Sequence, residues 1–169
     1  MTTAILVLIS LMWIPIALFF LGKGEARGTG FATAMVGILT ILGAILQAAV
    51  FNDAVTAGLL FVHGIFYASV AYAMLTGLDD MRSVGNVSLT TCIVSAIYAV
   101  IYFSGTPLIA QSSYLGMASA GYAVLTFMVW LNANGKFPAT TIAYSLILWT
   151  ILGLWVPAFW LMARNALPF

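Results

Sequence analysis

The stretch Ala54–Thr76, AVTAGLLFVHGIFYASVAYAMLT, decides how the chain is read. It is long enough to cross a bilayer, because about 20 apolar residues at a rise of 1.5 Å cover a hydrocarbon core roughly 30 Å thick. Asp53 precedes it and Gly77-Leu78-Asp79-Asp80 follows it, so charge brackets it on both sides. Near its middle sits His63, the single histidine of the chain, and one helical turn later on the same face comes Tyr67. No other stretch puts a titratable imidazole at mid-membrane depth. If the protein moves a solute, this face is where the solute is expected to pass.

The composition extends that reading to the whole chain. Of 169 residues, 64% are hydrophobic and only 5% are charged, and the mean hydropathy is +1.15. A soluble domain carries about a quarter charged residues, so this is an integral membrane protein. No polar segment is long enough for a separate soluble domain, and residues 1–169 read as one transmembrane domain. A net charge of +1 with five basic residues leaves no footprint for nucleic acid. Cys92 is the only cysteine, which excludes an intramolecular disulfide. The first apolar run has no basic segment before it and no A-x-A site after it, and reads as a retained span rather than a cleaved leader.

Apolar runs fall at 3–21, 31–50, 54–76, 87–103, 114–131 and 139–163, separated by glycine, asparagine, proline and charged residues. Segments that cross a bilayer must satisfy every backbone polar group internally, and runs of this length without strict alternation do so as helices. The fold class expected is therefore all-α, six transmembrane helices. Lys23, Arg27, Arg82 and Lys136 follow the odd-numbered spans, whereas the loops after the second and fourth spans carry no Lys or Arg. The positive-inside rule then places both termini outside, with Arg164 as the one dissenter. Gly64-x-x-x-Ala68, Ala44-x-x-x-Ala48 and Gly116-x-x-x-Ala120 are pairs of small residues that permit close helix approach.

The chemistry inside the spans is defined by what is missing. Glu25, Asp53, Asp79 and Asp80 all lie in loops or at helix ends. Ion-coupled carriers use an intramembrane carboxylate to exchange the ion. One histidine and one distant cysteine make neither a metal site nor a pair of haem ligands. With no nucleophile–base pair either, the chain is expected to be no enzyme and to need no cofactor. What remains is a set of neutral hydroxyls, amides and aromatics, among them Thr33, Thr40, Gln47, Tyr67, Tyr72, Ser95, Tyr122, Thr126, Tyr144 and Trp149. Hydroxyls in membrane helices commonly bond back to a carbonyl one turn earlier, and aromatics near span ends, such as Trp130 and Trp160, are commonly interfacial anchors. Pro15 and Pro157 read as packing kinks more readily than as gates. A path for a neutral hydrogen-bonding solute would use the same residue types, and composition alone does not choose between path and packing.

The order of short motifs adds to this. Leu21-Gly22-Lys23, then Arg27 and Val36-Gly37, mark the first hairpin. Gly58-Leu59-Leu60-Phe61 through Tyr67-Ala68 and Gly77-Leu78-Asp79 mark the third helix, Gly135-Lys136-Phe137 the last loop, and Trp155-Val156-Pro157 the sixth helix. In this order the chain resembles the AmiS/UreI family of bacterial urea and short-chain amide channels over nearly its whole length. The resemblance implies a twisted six-helix bundle with a pore in each subunit, assembled as a homohexamer in the bacterial cytoplasmic (inner) membrane. It implies passive passage of urea, formamide or acetamide, with a cytoplasmic amidase or urease as a possible partner. The path it implies runs along His63, Tyr67, Tyr122, Thr126, Trp13, Trp149 and Trp155. His63 falls where the family has a pore aromatic, Tyr67 matches its pore tyrosine, Tyr122 and Thr126 fall on pore tryptophan positions of the fifth helix, and Trp13 replaces an apolar constriction residue. Family asparagines become Ile16 and Thr33, an acidic residue of the urea-channel branch becomes Trp149, and Pro15 is extra. The competing readings are a non-conducting assembly subunit and a transporter of a larger neutral metabolite.

Overall fold

The structure is a computed structural model and describes residues 2–107 and 109–169. Among these residues there is no β-strand, only an isolated bridge between Thr106 and Ile109. The helices are α1 (Thr2–Phe20), α2 (Ala26–Ala49), α3 (Ala54–Thr76), α4 (Arg82–Ser104), α5 (Ser113–Ala133), α6 (Ala139–Trp149) and α7 (Val156–Arg164). A π-helical segment, Thr150–Trp155, joins the last two. α6, this segment and α7 form one span, so six helical spans are long and apolar enough to cross a membrane.

Two of the expected boundaries shift for capping reasons. α2 starts at Ala26 rather than 31 because the Glu25 carboxylate accepts from the Arg27 and Gly28 N–H groups and caps the first turn. α4 starts at Arg82 rather than 87, its first turn held by Asp80, which accepts from the Arg82 backbone and side chain. Those polar first turns lie outside the hydrophobic windows, so hydropathy does not register them. α3 has the boundaries read from the sequence: Asp53 accepts from Thr56 N–H at 2.9 Å, and Gly77 closes the helix in the left-handed region at φ 67°.

The bundle is built from two tight hairpins, α2 with α3 and α4 with α5, and α1 closes it against α2 and the sixth span. Small residues set the closest approach. A Cβ on Gly64 would lie 2.6 Å from Ile41 Cγ1 and 3.2 Å from the Gly37 carbonyl oxygen. On α5, a Cβ on Gly116 would meet the Phe103 ring at 2.7 Å, and one on Gly121 would run into the Trp149 ring. Outward-facing apolar side chains such as Phe31, Ile38, Ile65, Ile97 and Val124 form the surface suited to lipid. Tyr72 and Tyr144 belong to that surface, 61% and 65% exposed, rather than to the interior polar set in which the sequence places them.

The sixth span is not one regular helix, and Pro157 supplies the reason. Proline has no N–H, so the carbonyl four residues back (Gly153) or five back (Leu152) loses its ladder partner, depending on local register. An orphan carbonyl in a membrane interior costs several kcal/mol, of order. Both are answered from α5: the Tyr122 hydroxyl donates to Gly153 O at 3.1 Å, and the Tyr114 hydroxyl donates to Leu152 O. The irregular segment thereby fixes where two α5 tyrosines stand.

Candidate functional site

Two cavities run into the bundle from opposite ends. One, of about 370 Å³, opens among Ala26, Gly77, Met81 and Asn132, at the end that carries Lys23, Arg27, Arg82 and Lys136. The other, of about 310 Å³, opens among Thr56, Tyr102, Tyr114 and Leu161 at the opposite end. Three side chains line both: His63, Tyr67 and Tyr122. The cavities therefore meet, from either side, at one layer of rings in the middle of the bundle.

That layer is held edge against face. The His63 ring lies 5.9 Å from Tyr67 and 5.5 Å from Tyr122, centroid to centroid, at steep interplanar angles. Trp13 meets Tyr122 at 5.5 Å and 89°. Such contacts favour the positive edge of one ring on the face of the next. Trp13 lines only the cavity at the basic end, as do Ile16 and Thr126. Thr126 gives its hydroxyl hydrogen back to the Tyr122 and Ala123 carbonyls, at 2.8 and 3.1 Å.

The hydrogen-bond state of His63 follows from its neighbours. Its Nδ1 lies 3.0 Å from the Leu59 carbonyl oxygen. A carbonyl only accepts, so in the neutral ring Nδ1 carries the hydrogen and Nε2 presents a bare lone pair. His63 is buried, and Nε2 has no protein partner. The ring N–H is thus already used, and only the acceptor is open. Tyr122 is in a similar state, its hydrogen directed at Gly153 O. The Tyr67 hydroxyl is approached by the Trp13 indole, a group that only donates.

Of the seven residues proposed from the sequence for the path, the structure brings Trp13, His63, Tyr67, Tyr122 and Thr126 to the cavities and leaves two outside. Trp155 is 38% exposed on the outer face and lines neither cavity. Trp149 packs on the bare faces of Gly121 and Gly153 and also lines neither. Trp149 ends α6 and Trp155 ends the π segment that follows it. Phe66, Leu125 and Tyr114 line cavities without having been read as such from sequence. Only the α5 spacing of Leu125 after Tyr122 hints at it.

Charge lies outside this region. Gln47 Nε2 donates to Asp53 at 2.8 Å. Burial pulls the Asp53 carboxyl upward, but hydrogen bonds from Thr56, Gln47 and the Val55 backbone outweigh it and hold the group below the usual carboxylate range. Asp80, fully exposed, is drawn down to about 2 by its hydrogen bonds with Arg82. Among the described residues no group of His, Cys, Asp and Glu could hold a metal ion.

Comparison with known proteins agrees with this architecture. The model of the AmiS/UreI family of transporters matches residues 1–165. The chain belongs to that family. It is a multi-pass membrane transport protein, not an enzyme. Two solved structures share its fold. One is the cryoEM structure of the Helicobacter pylori urea channel in a closed state, with TM-score 0.86 and 18% identity, covering 99% of this chain and 100% of that one. The other is the crystal structure of the H. pylori urea channel, with TM-score 0.83 and 19% identity, covering 98% and 99%. No curated protein matches the sequence.

Proposed function

We propose that the protein is a passive channel for small neutral amides such as urea, formamide and acetamide, with the layer His63–Tyr67–Tyr122 as its selective constriction. The observation that carries this reading is the pair of cavities lined in common by those three rings. The urea-channel fold and family membership support the solute class.

The physics is direct. A planar amide fits between flat ring faces and recovers part of its lost hydration from a few polar atoms. A hydrated ion would lose far more solvation than neutral groups return. No carboxylate lies within a span to couple the flux to protons or sodium. The basic end is taken as cytoplasmic, in a bacterial inner membrane, where an amidase or urease consuming the solute would maintain its gradient. The path lies within one chain, which suits the homohexameric ring with a pore per subunit that the family resemblance implies.

The test is flux in proteoliposomes with a panel of urea, formamide, acetamide and glycerol. Urea and the amides should equilibrate faster than through bare lipid, and collapsing proton and sodium gradients should change nothing. No flux above lipid for any of them would favour the assembly-subunit reading, and gradient-driven accumulation would exclude a channel.

A further inference from the structure

We infer that the constriction selects solutes by their N–H donors, with His63 Nε2 as the atom that reads them. The inference rests on the channel reading and narrows its substrate class to neutral solutes that carry at least one N–H.

Three facts combine. The His63 ring is buried and lines both cavities, so a solute passing between them must pass it. The Leu59 carbonyl occupies Nδ1–H and locks the tautomer, which leaves Nε2 as a buried acceptor with no partner. The Tyr122 hydrogen is likewise committed, to Gly153 O. The constriction therefore offers lone pairs at two of its three polar groups. An acceptor left empty in an apolar interior is costly, and a solute N–H answers it, whereas a solute with acceptors only does not. The third group completes the match. The Tyr67 hydroxyl donates to no protein group among the described residues, and the indole beside it can only donate to its oxygen. Its hydrogen is free for a carbonyl. A primary amide presents both halves, an N–H for Nε2 and a C=O for Tyr67.

The test is competition against labelled urea uptake into proteoliposomes, using two small planar amides. Acetamide has N–H groups and N,N-dimethylformamide has none. In the wild-type protein acetamide should halve urea uptake at a concentration about five- to tenfold lower than N,N-dimethylformamide does, the worth of one buried hydrogen bond. In His63→Phe that ratio should fall to near one. In His63→Gln, whose side-chain carbonyl restores an acceptor, it should return. The ratio does not depend on how much protein is reconstituted, and the wild-type measurement stands even where a variant fails to fold. Equal competition by the two amides in the wild-type protein, or discrimination surviving in His63→Phe, would overturn the inference while leaving the channel intact. Urea and acetamide flux no faster than through bare lipid would remove the channel reading, and this inference with it.

Discussion

Helices α2 and α3 pack against each other, yet the buried threonines of one and the buried histidine of the other are in opposite states. On α2, Thr33 and Thr40 are fully buried, and each hydroxyl donates to the carbonyl one turn back, Thr29 O and Val36 O, at 2.7 Å. On α3, His63 makes the same kind of backward bond to Leu59 O but has a second nitrogen that nothing meets. The threonines are closed systems that let α2 sit against its neighbours. The histidine is an open one, placed where two cavities join. Burial and polarity do not separate scaffold from path in this bundle, and unused hydrogen-bonding capacity alone does not either, since Gln47 Oε1 and Ser95 Oγ are also buried without partners away from the cavities; at His63 that capacity coincides with the place where the two cavities meet.

The largest effect should come from breaking the packing on which both helices depend. Gly64→Val puts methyl groups where even a Cβ would stand 2.6 Å from Ile41 and against the Gly37 backbone. Overpacking of this kind costs about 1–3 kcal/mol or more. The yield of monodisperse protein in detergent should collapse, and normal yield would mean that the α2–α3 crossing is looser than described.

Next come the rings of the constriction. Tyr67→Leu and Tyr122→Leu keep bulk but remove the flat face and the hydroxyl, and Tyr122→Leu also strands Gly153 O. Urea flux should fall by about tenfold in each, the equivalent of roughly 1.4 kcal/mol, with oligomeric state preserved. Normal flux in both variants would move the path elsewhere.

A smaller, pH-dependent effect is expected at His63. The titratable groups facing it are Tyr67 and Tyr122; no carboxylate lies in any span, and Arg27, Arg82 and Arg164 stand at span ends. Protonation adds a hydrogen at Nε2, converting the open acceptor into a charged donor in the narrowest region. Flux should therefore fall as pH drops well below neutral, and His63→Phe should lose that dependence. Matching pH profiles in the two proteins would leave the ring with a packing role.

The smallest effects belong to closed groups. Thr40→Val should change urea flux less than about twofold, because it removes a hydroxyl whose hydrogen never faces the path. Asp80→Asn should do as little. The depressed Asp80 carboxyl adds stability above the unfolded carboxylate range and loses it as pH falls toward about 2, but the pair with Arg82 is fully exposed. A large flux defect in Thr40→Val would undo the distinction drawn between α2 and α3.

Most of the architecture was legible because hydrocarbon imposes a single rule: about twenty apolar residues between charges make a helix. α3 was read to the residue, because Asp53 and Gly77 announce its ends chemically. His63, Tyr67 and Tyr122 were legible as candidates because two of them share a helix face and the third follows from the family resemblance. Trp149 and Trp155 were read from the family resemblance alone, and the structure sets Trp149 against Gly121 and Gly153 and Trp155 on the outer face, away from the two cavities. The tautomer of His63 was out of reach, since the atom that fixes it is a backbone carbonyl and not a side chain in the sequence.

One measurement bears most directly on the path. Ala118 is buried on α5 and lines the cavity at the end opposite the basic loops, whereas Ile97 faces outward on α4. In a Cys92→Ser background, Ala118→Cys and Ile97→Cys would each be labelled to completion in reconstituted protein with a small methanethiosulfonate, and urea flux read before and after. Labelling at residue 118 should stop urea flux and labelling at residue 97 should leave it unchanged. Complete modification at residue 118 with urea flux intact would show that the solute does not travel through these cavities.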